Sequence, residues 1–518
     1  MKNRSIASSA LQISAVVFIT KILGVFKQII IAAVCGATSE TDSYFAVTGI
    51  MMAVCTVLFS SLSITLLSVH TECLIRDGRE ESNRLINSAL RVFLPVSCVI
   101  SILFFLFSGF FARILASSYE PEQMETLSRF IRIVSVMPVL TCFHTVLNVV
   151  LETDKSFLPG KAQSFFINLF LCIAAPLLYP VFGMPALVGV FVLSGVLQCI
   201  IVTKCAGNRF WLQPGVCYET EAIRKILALS LPLLAGNAIY EINDIVDKKI
   251  AIGLGHGNVS YLSYGASINE IVTTLVVASV STVLFAHYST WAAEGDKKKV
   301  GEYLRKSMEY LVVLILPLMA LCLMRGDIMV AILYKRGNFD SAAVRLTGSV
   351  VAGYAAGFLF QALRANLTRV YYAFQDTKTP MITGAVSISI NIILSILLSR
   401  RFGAGGITAA TSIAMLAASL LLLPGIYRMI PGFSLRSGMG EYGKAILAVF
   451  LGTAAARVFS AFCPAGTFIG FMLSAVILVA VYLCAAYLLR VNAVRDAAGR
   501  TVLTLQEVCL RVFRKVRN

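Results

Sequence analysis

Apolar segments long enough to cross a membrane repeat from one end of this chain to the other, and this pattern constrains the fold most strongly. About 20 consecutive apolar residues span the hydrocarbon core of a bilayer as a helix. Only 14% of the 518 residues are charged, whereas soluble domains carry about 25%. Because a backbone in lipid must satisfy its own hydrogen bonds, the sequence predicts an all-α polytopic membrane protein.

About fourteen transmembrane helices are predicted, separated by short segments that carry charge, proline or glycine. They are expected at residues 8–34, 43–69, 86–115, 127–151, 162–181, 185–203, 226–253, 259–288, 307–324, 346–374, 381–399, 405–427, 443–462 and 467–489.

Lysine and arginine concentrate in every second connection, which by the positive-inside rule predicts that both termini are cytoplasmic. Segment 325–345 is expected to be an outer loop of mixed charge with a turn at residues 336–338, and segment 490–518 a basic amphipathic helix at the inner surface. The formal net charge of +17 follows from the same rule, so no nucleic-acid partner is expected.

The sequence contains no motif for catalysis or for a resident cofactor. Its 13 cysteines are scattered without a CxxC pair, and HExxH and GxxxxGK[ST] motifs are absent. The chain is therefore expected to be a transporter and not an enzyme, with no metal site. Coupling to the membrane potential or to a monovalent cation is the expected source of energy.

Two lysines, Lys21 and Lys27, lie inside the first predicted helix, about 9 Å apart along its axis. An ammonium group at that depth costs about 2.5–3.5 kcal/mol on insertion scales, so it normally faces a cavity or a partner. With Gly24 and Gln28 the lysines form a candidate binding surface for a phosphate group. The alternative is that a lysine reaches an interface or pairs structurally with an acid. Gly24 would let either a cargo or a neighbouring helix approach.

Asp42 follows the first predicted helix, after Ser39, Glu40 and Thr41. Aspartate in this context is typical of a helix N-cap. The alternative interpretation is a gate residue that pairs with a cation when the outer side of the transporter closes.

The seventh predicted helix carries several charges within the membrane. Glu241, Asp244 and Lys248 share one face, with Asp247 beside them. One interpretation is a mutually neutralised network that lines a central cavity, and the other is an ion or proton site that couples transport to a gradient. Glu270 in the eighth helix fits either interpretation.

Arg364 in the tenth predicted helix is a further candidate for cargo binding, because it also lies within an apolar segment.

Four blocks of sequence resemble the MurJ/MviN family of lipid II flippases, within the multidrug/oligosaccharidyl-lipid/polysaccharide exporter superfamily. The blocks are TKILGVFKQIIIAAVCGATSETDSYFAV, VLNVVLETDKSFLP, LPLLAGNAIYEINDIVDKKIAIGLGHGNVSYLSYG and LTRVYYAFQDTKTP.

The resemblance implies two six-helix lobes around a cationic cavity, here residues 1–222 and 223–430. Helices 13 and 14, within 431–490, would form a groove for the lipid tail, before a basic cytoplasmic tail at 491–518. The resemblance also implies that the protein moves lipid II, the undecaprenyl-pyrophosphate-linked peptidoglycan precursor, from the inner to the outer leaflet of the bacterial cytoplasmic membrane by alternating access. The expected partners are the lipid-linked saccharide, membrane lipids and cell-wall synthesis proteins.

By position, the family's two essential arginines fall on Lys21 and Lys27, and its aspartate falls on Asp42. Lysine keeps the charge but loses the bidentate geometry of arginine. Two further family arginines fall near Cys55 and Ser267, which are not basic. Alternative cargoes are therefore another lipid-linked oligosaccharide, such as a surface-polysaccharide repeat unit, or a drug exchanged for a cation.

Overall fold

The computed structural model describes residues 6–213, 220–274, 279–462 and 468–496, and these ranges contain helices and no strands. The α-helices are α1 Ile6–Cys35, α2 Ser39–Arg76, α3 Gly78–Leu106, α4 Ser108–Leu115, α5 Pro121–Val134, α6 Met137–Thr153, α7 Ala162–Phe182, α8 Met184–Ala206, α9 Thr220–Gly253, α10 Asn258–Val272, α11 Ser279–Ala293, α12 Lys297–Tyr334, α13 Ser341–Ala355, α14 Phe358–Ala373, α15 Lys378–Phe402, α16 Ala404–Met429, α17 Arg436–Phe462 and α18 Phe468–Leu488.

By length and composition, 13 segments of the described chain are able to cross a membrane. The predicted all-α polytopic architecture is confirmed. The predicted eighth helix corresponds to α10 and α11, and residues 275–278 between them lie outside the described residues.

Several predicted spans consist of two consecutive helices. The predicted fourth helix, for example, is divided into α5 and α6 at Ser135 and Val136. Pro138 lies in the first turn of α6, where its missing N–H and fixed φ are tolerated. A proline inside one continuous helix would instead break a backbone hydrogen bond, so the chain restarts the helix there.

The predicted outer loop at 325–345 is wrong over its first half, because α12 continues to Tyr334. The charged residues that suggested a loop lie next to a kink, where Arg325 has a non-helical φ of −137°. The predicted turn at 336–338 is present. Of the predicted tail helix, residues 492–496 are helical, and residues 497–518 lie outside the described residues.

The chain forms two compact units. The first comprises Met1–Ser267, Tyr334–Ala343 and Ser399–Ala404, and the second comprises Ile268–Leu333, Val344–Leu398 and Gly405–Asn518. The lobe boundaries expected from the sequence stay predictions.

In the first unit, α2 is the central helix and packs against α3, α5, α6 and α9. In the second unit, the hairpin of α17 and α18 packs against α12, where the Tyr482 hydroxyl donates to the Val313 carbonyl at 2.9 Å. A buried trio of Tyr288, Ser307 and Asn366 joins α11, α12 and α14 through hydrogen bonds of 2.7–2.9 Å.

Candidate functional site

The lysine-bearing stripe of α1 lies beside α7 in the first unit. Lys21 is exposed and Lys27 is half-buried. A Cβ added to Gly24 would lie 3.3 Å from the Asn168 side-chain nitrogen, and that nitrogen donates to the Thr20 carbonyl at 3.1 Å. The sequence leaves open whether a cargo or a neighbouring helix approaches Gly24. The structure shows that a neighbouring helix, α7, does so. Thr20 and Gly24 therefore lie on the face of α1 that packs against α7.

Gln28 lies one turn beyond Gly24 on α1. Its side-chain oxygen is buried and accepts no hydrogen bond from the described part of the chain. Buried amide oxygens are nearly always paired with protein or water. Gln28 therefore offers an acceptor next to Lys27.

Asp42 is completely buried and links the start of α2 to the start of α10. Its Oδ2 accepts from the Gly257 backbone N–H at 2.6 Å. Its Oδ1 accepts from the Ser260 backbone N–H at 2.7 Å and from the Ser260 hydroxyl at 2.6 Å. The carboxylate thus satisfies free N–H groups at the N-terminus of α10, where the helix dipole favours negative charge.

Neither sequence interpretation of Asp42 describes this arrangement. The N-cap of α2 is Thr38, whose hydroxyl accepts the Thr41 N–H at 3.3 Å. The hydrogen-bond partners of Asp42 in the described structure are uncharged backbone and hydroxyl groups, and its role as a gate residue that pairs with a cation stays a prediction. The partner lies 215 residues away in sequence, and no local pattern identifies it.

A second set of hydrogen bonds is made to the C-terminal end of α1. The Tyr264 hydroxyl donates to the Gly36 carbonyl at 2.9 Å. Asn338 donates its backbone N–H to the Ala33 carbonyl at 2.9 Å and its side-chain amide to the Val34 carbonyl at 2.6 Å. These donors satisfy carbonyls that a helix C-terminus leaves free. Sequence reasoning missed both residues, although the 336–338 turn was a visible signal.

Glycine is required at position 337 by two features of this turn. Its φ is +54°, and a Cβ would collide with the Ala33 carbonyl. The turn that carries Asn338 reaches α1 only because no side chain intervenes.

The charged stretch of α9 contains one ion pair and one amide contact within the helix, and both interpretations of its role stay predictions. Lys248 forms an ion pair with Asp244, and the Lys248 side chain is 14% exposed while that of Asp244 is 54% exposed. The Asn243 amide donates to Asp247 at 3.3 Å. Glu241 is half-buried on the same helix. A Cβ on Gly49 of α2 would collide with the Lys248 amine, so this glycine makes room for the charge.

Glu270 is exposed on α10 and belongs to the second unit. Its predicted association with the α9 acids stays a prediction.

Small polar side chains join α2 to α9 along most of their length, and we call these contacts the α2–α9 seam. The hydroxyls of Thr65 and Ser230 hydrogen-bond at 2.6 Å. The Asn237 amide donates to the Ser60 and Ser61 hydroxyls at 3.0 and 3.2 Å. Lys225 pairs with Glu72 at 2.7 Å near the other end.

Along the seam, the residue numbers on α2 increase while those of their partners on α9 decrease. The two helices therefore run antiparallel in a fixed register. Small residues and interhelical hydrogen bonds are what hold helices together in a membrane. Sequence reasoning missed the seam, although the SSLS run in α2 and Asn237 in an otherwise apolar stretch were available signals.

Arg364 lies half-buried on α14 in the second unit. Its Nη1 lies 3.5 Å from the Met415 sulfur of α16. Met415 also lines a small pocket of the same unit. Arg364 therefore places a positive charge beside a pocket.

No group of three or more His, Cys, Asp or Glu side chains is arranged to hold a metal ion within the described ranges. The polar groups of the site are amides, hydroxyls, carboxylates and ammonium groups. Such groups bind polar organic and phosphate groups by hydrogen bonds and charge.

Comparisons with solved structures agree with this architecture. A structure described as lipid II flippase MurJ in an inward closed conformation superposes with a TM-score of 0.80 at 21% identity, covering 92% of this chain and 98% of that one. An inward-facing MATE family multidrug resistance transporter of the MOP superfamily gives 0.65 at 12% identity, covering 79% of this chain and 94% of that one. At these identities the likeness establishes the fold.

Comparisons of sequence identify the family. A probable lipid II flippase MurJ of Treponema pallidum is 24% identical over 438 residues, 82% of each chain. One of Bdellovibrio bacteriovorus is 23% identical over 444 residues, 83% of each chain. The family model described as lipid II flippase MurJ matches residues 31–487, which include Asp42, α9 and Arg364. The chain therefore belongs to the MurJ family of lipid II flippases.

Proposed function

We propose that this protein moves lipid II from the inner to the outer leaflet of the bacterial cytoplasmic membrane by alternating access. The family match over residues 31–487 carries this proposal. The match covers the chain from the end of α1 into α18, so the flippase pattern extends over most of the membrane-spanning helices and not over one segment. The 13 candidate membrane spans supply the multi-pass architecture that such transport needs.

In this proposal the pyrophosphate of the cargo binds the ammonium groups of Lys21 and Lys27. Lysine acts on phosphate as a point charge with three donors. Both residues precede the region of the family match, so their role rests on their charge and position in α1.

The Asp42 contact serves as the outer gate in this mechanism. Charge-assisted hydrogen bonds contribute about 1.5–3 kcal/mol each, and Asp42 accepts three of them. Water must replace these bonds when the outer side opens to release the cargo. The gate is therefore stable when closed and still reversible, since both partners are polar.

The return of the empty transporter is driven by the membrane potential. Moving one elementary charge across 100 mV is worth about 2.3 kcal/mol. An inside-negative potential pulls the vacated lysines toward the cytoplasm. This direction assumes cytoplasmic termini, which the alternation of basic connections supports.

One observation favours a second cargo of the same chemical class. The positions of two family arginines hold Cys55, which is buried, and Ser267, whose hydroxyl donates to the Ser263 carbonyl at 3.0 Å. Neither supplies a cation. A less cationic site suits a lipid-linked glycan with fewer anionic groups than lipid II.

Complementation separates these two cargoes. We expect the full chain to restore growth to bacterial cells depleted of their own lipid II flippase. The matched control is the Asp42→Ala variant at equal membrane abundance, which should restore growth poorly. Failure of the wild-type chain, with normal abundance in the membrane, would contradict lipid II as the cargo and favour another lipid-linked glycan.

A further inference from the structure

After α8, the chain of the first unit turns back and lies against α3, and we call residues 209–213 the strap. The Asn83 side chain of α3 makes two hydrogen bonds to the Trp211 backbone. It accepts the Trp211 N–H at 3.2 Å and donates to the Trp211 carbonyl at 2.9 Å. At the start of the strap, Arg209 pairs with Asp154 at 3.2 Å. The strap is therefore attached at both of these positions.

The next hydrogen bonds follow α3 at intervals of one helical turn. Asn87 accepts the Gln213 N–H at 3.1 Å and donates to the Trp211 carbonyl at 3.0 Å. Arg91 donates to the Gln213 carbonyl at 2.7 Å. Four helical residues advance about 6 Å, and two extended residues advance about 6.6 Å. Because these lengths match, side chains of α3 hold the strap in register, as a neighbouring β-strand would.

The strap ends at the level where α3 enters its apolar part. Residue numbers increase together on the strap and on α3, so the strap runs from the start of α3 toward its middle. No residue between Arg91 and Arg113 is charged. Beyond Arg91, the exposed side chains of α3 include Val96, Val99 and Ile102, as expected of a surface that faces lipid. The strap therefore lies at the boundary between water and hydrocarbon.

The strap exposes two large apolar side chains at this level. Trp211 is 39% exposed and Leu212 is 74% exposed. Tryptophan is enriched at membrane–water interfaces. An irregular backbone is tolerated near lipid only when its polar groups are hydrogen-bonded, and α3 supplies such bonds to Trp211 and Gln213. The connection at 204–225 is also basic, which suits anionic headgroups.

We propose that the strap anchors the connection between α8 and α9 in the membrane surface, with Trp211 and Leu212 inserted among the lipid headgroups. Its partner is a lipid surface that contains anionic phospholipid. The side chains of Asn83, Asn87 and Arg91 hold the strap in the orientation that directs these two residues outward. The anchor does not depend on which cargo is transported, so it goes beyond the proposed function.

Fluorescence provides the test, because Trp211 and Trp291 are the two tryptophans of the chain. In Trp291→Phe, Trp211 is the remaining tryptophan. The full-length variant is reconstituted into vesicles of equal parts phosphatidylcholine and phosphatidylglycerol. The phosphatidylcholine carries bromine near either the headgroup end or the methyl end of its acyl chains.

Bromine near the headgroup should quench most of the Trp211 emission, and bromine near the methyl end should quench less. Interfacial apolar side chains lie about 5–10 Å into the boundary between headgroups and acyl chains, which is closer to the first position. Emission that bromine leaves unchanged and aqueous iodide quenches would place Trp211 in water and overturn the inference. Emission that neither agent quenches would show that protein covers Trp211, and would overturn it equally.

Asn83→Ala in the same background tests the role of α3. Because both hydrogen bonds to Trp211 are lost, quenching by bromine should decrease and quenching by iodide should increase. Asn208→Ala is the matched control, since Asn208 is exposed directly before the strap, and it should leave both unchanged. Unchanged quenching by bromine in folded Asn83→Ala would overturn the role of α3.

Trp291 of the second unit reports whether Asn83→Ala is folded. Its ring lies 5.3 Å from that of His287 and 4.9 Å from that of Tyr303. In a Trp211→Phe background, the Trp291 emission spectrum should not respond to Asn83→Ala. If it shifts, Asn87→Ala replaces that variant, because it removes two other bonds to the strap and should change quenching in the same direction.

Discussion

At the scale of single residues, Asp42 is a buried carboxylate that holds two helices together through its hydrogen bonds. Its carboxylate is 0% exposed, and both oxygens are used by the N-terminus of α10. A buried charge is tolerated only when it is paired or fully hydrogen-bonded. The contact between α2 and α10 is therefore specific to a carboxylate of this length.

Removal of this carboxylate should destabilise the first unit. In Asp42→Ala, the N–H groups of Gly257 and Ser260 lose their acceptor, and we expect the free energy of unfolding to fall by about 2–4 kcal/mol. Glu40→Ala is the control, since Glu40 is exposed on the same turn, and it should change that energy by less than about 0.5 kcal/mol. Denaturant unfolding in detergent measures both. Equal effects of the two substitutions would show that the Asp42 contact contributes nothing.

At the scale of elements, the α2–α9 seam fixes the register of two long helices. Its hydroxyl, amide and ion pairs occur at successive positions from Ser60 to Glu72 on α2. Within a membrane, such pairs add specificity that apolar packing alone lacks, because lipid tails compete equally well for an apolar surface. A slip of one residue would separate every pair.

Disulfide trapping tests that register directly. Cysteines at Thr65 and Ser230 replace hydroxyls 2.6 Å apart, close enough to form a disulfide after a small adjustment. We expect rapid, reductant-sensitive cross-linking of Thr65→Cys/Ser230→Cys. Cysteines one residue away, in Ile64→Cys/Leu231→Cys, lie on side chains that are 60% and 64% exposed and should not cross-link. Single-cysteine variants control for pairing with native cysteines, and a reversed pattern would refute the register.

At the scale of the whole molecule, the membrane fold follows from the length and hydropathy of each segment. The sequence therefore predicts the all-α class and the positions of most spans. It predicts helix ends less well, because α2, α3 and α12 continue into charged segments that read as loops. Charges near a bilayer surface do not end a helix whose backbone hydrogen bonds remain satisfied.

The candidate site was predictable only where the signal is local. A charged residue stands out within an apolar run, which is why Lys21, Lys27, Asp244 and Lys248 are visible in the sequence. The partners of Asp42 lie far from it in the chain. Gly257 and Ser260 look unremarkable in sequence and acquire meaning only because the start of α10 lies beside Asp42.

The most direct test of lipid II transport through the α1 lysines is a translocation assay in proteoliposomes. Purified protein is reconstituted with lipid II, and the appearance of the headgroup in the opposite leaflet is timed. Lys21→Ala/Lys27→Ala should slow transport at least about tenfold, since two charge-assisted contacts are lost. Lys21→Arg/Lys27→Arg should retain it.

Lys161→Ala/Lys204→Ala removes two exposed lysines outside α1 and is the control for net charge, so it should transport lipid II at the wild-type rate. Wild-type transport with loss only in the α1 alanine variant is the predicted result. Undiminished lipid II transport by Lys21→Ala/Lys27→Ala would contradict the proposed binding of the pyrophosphate by α1.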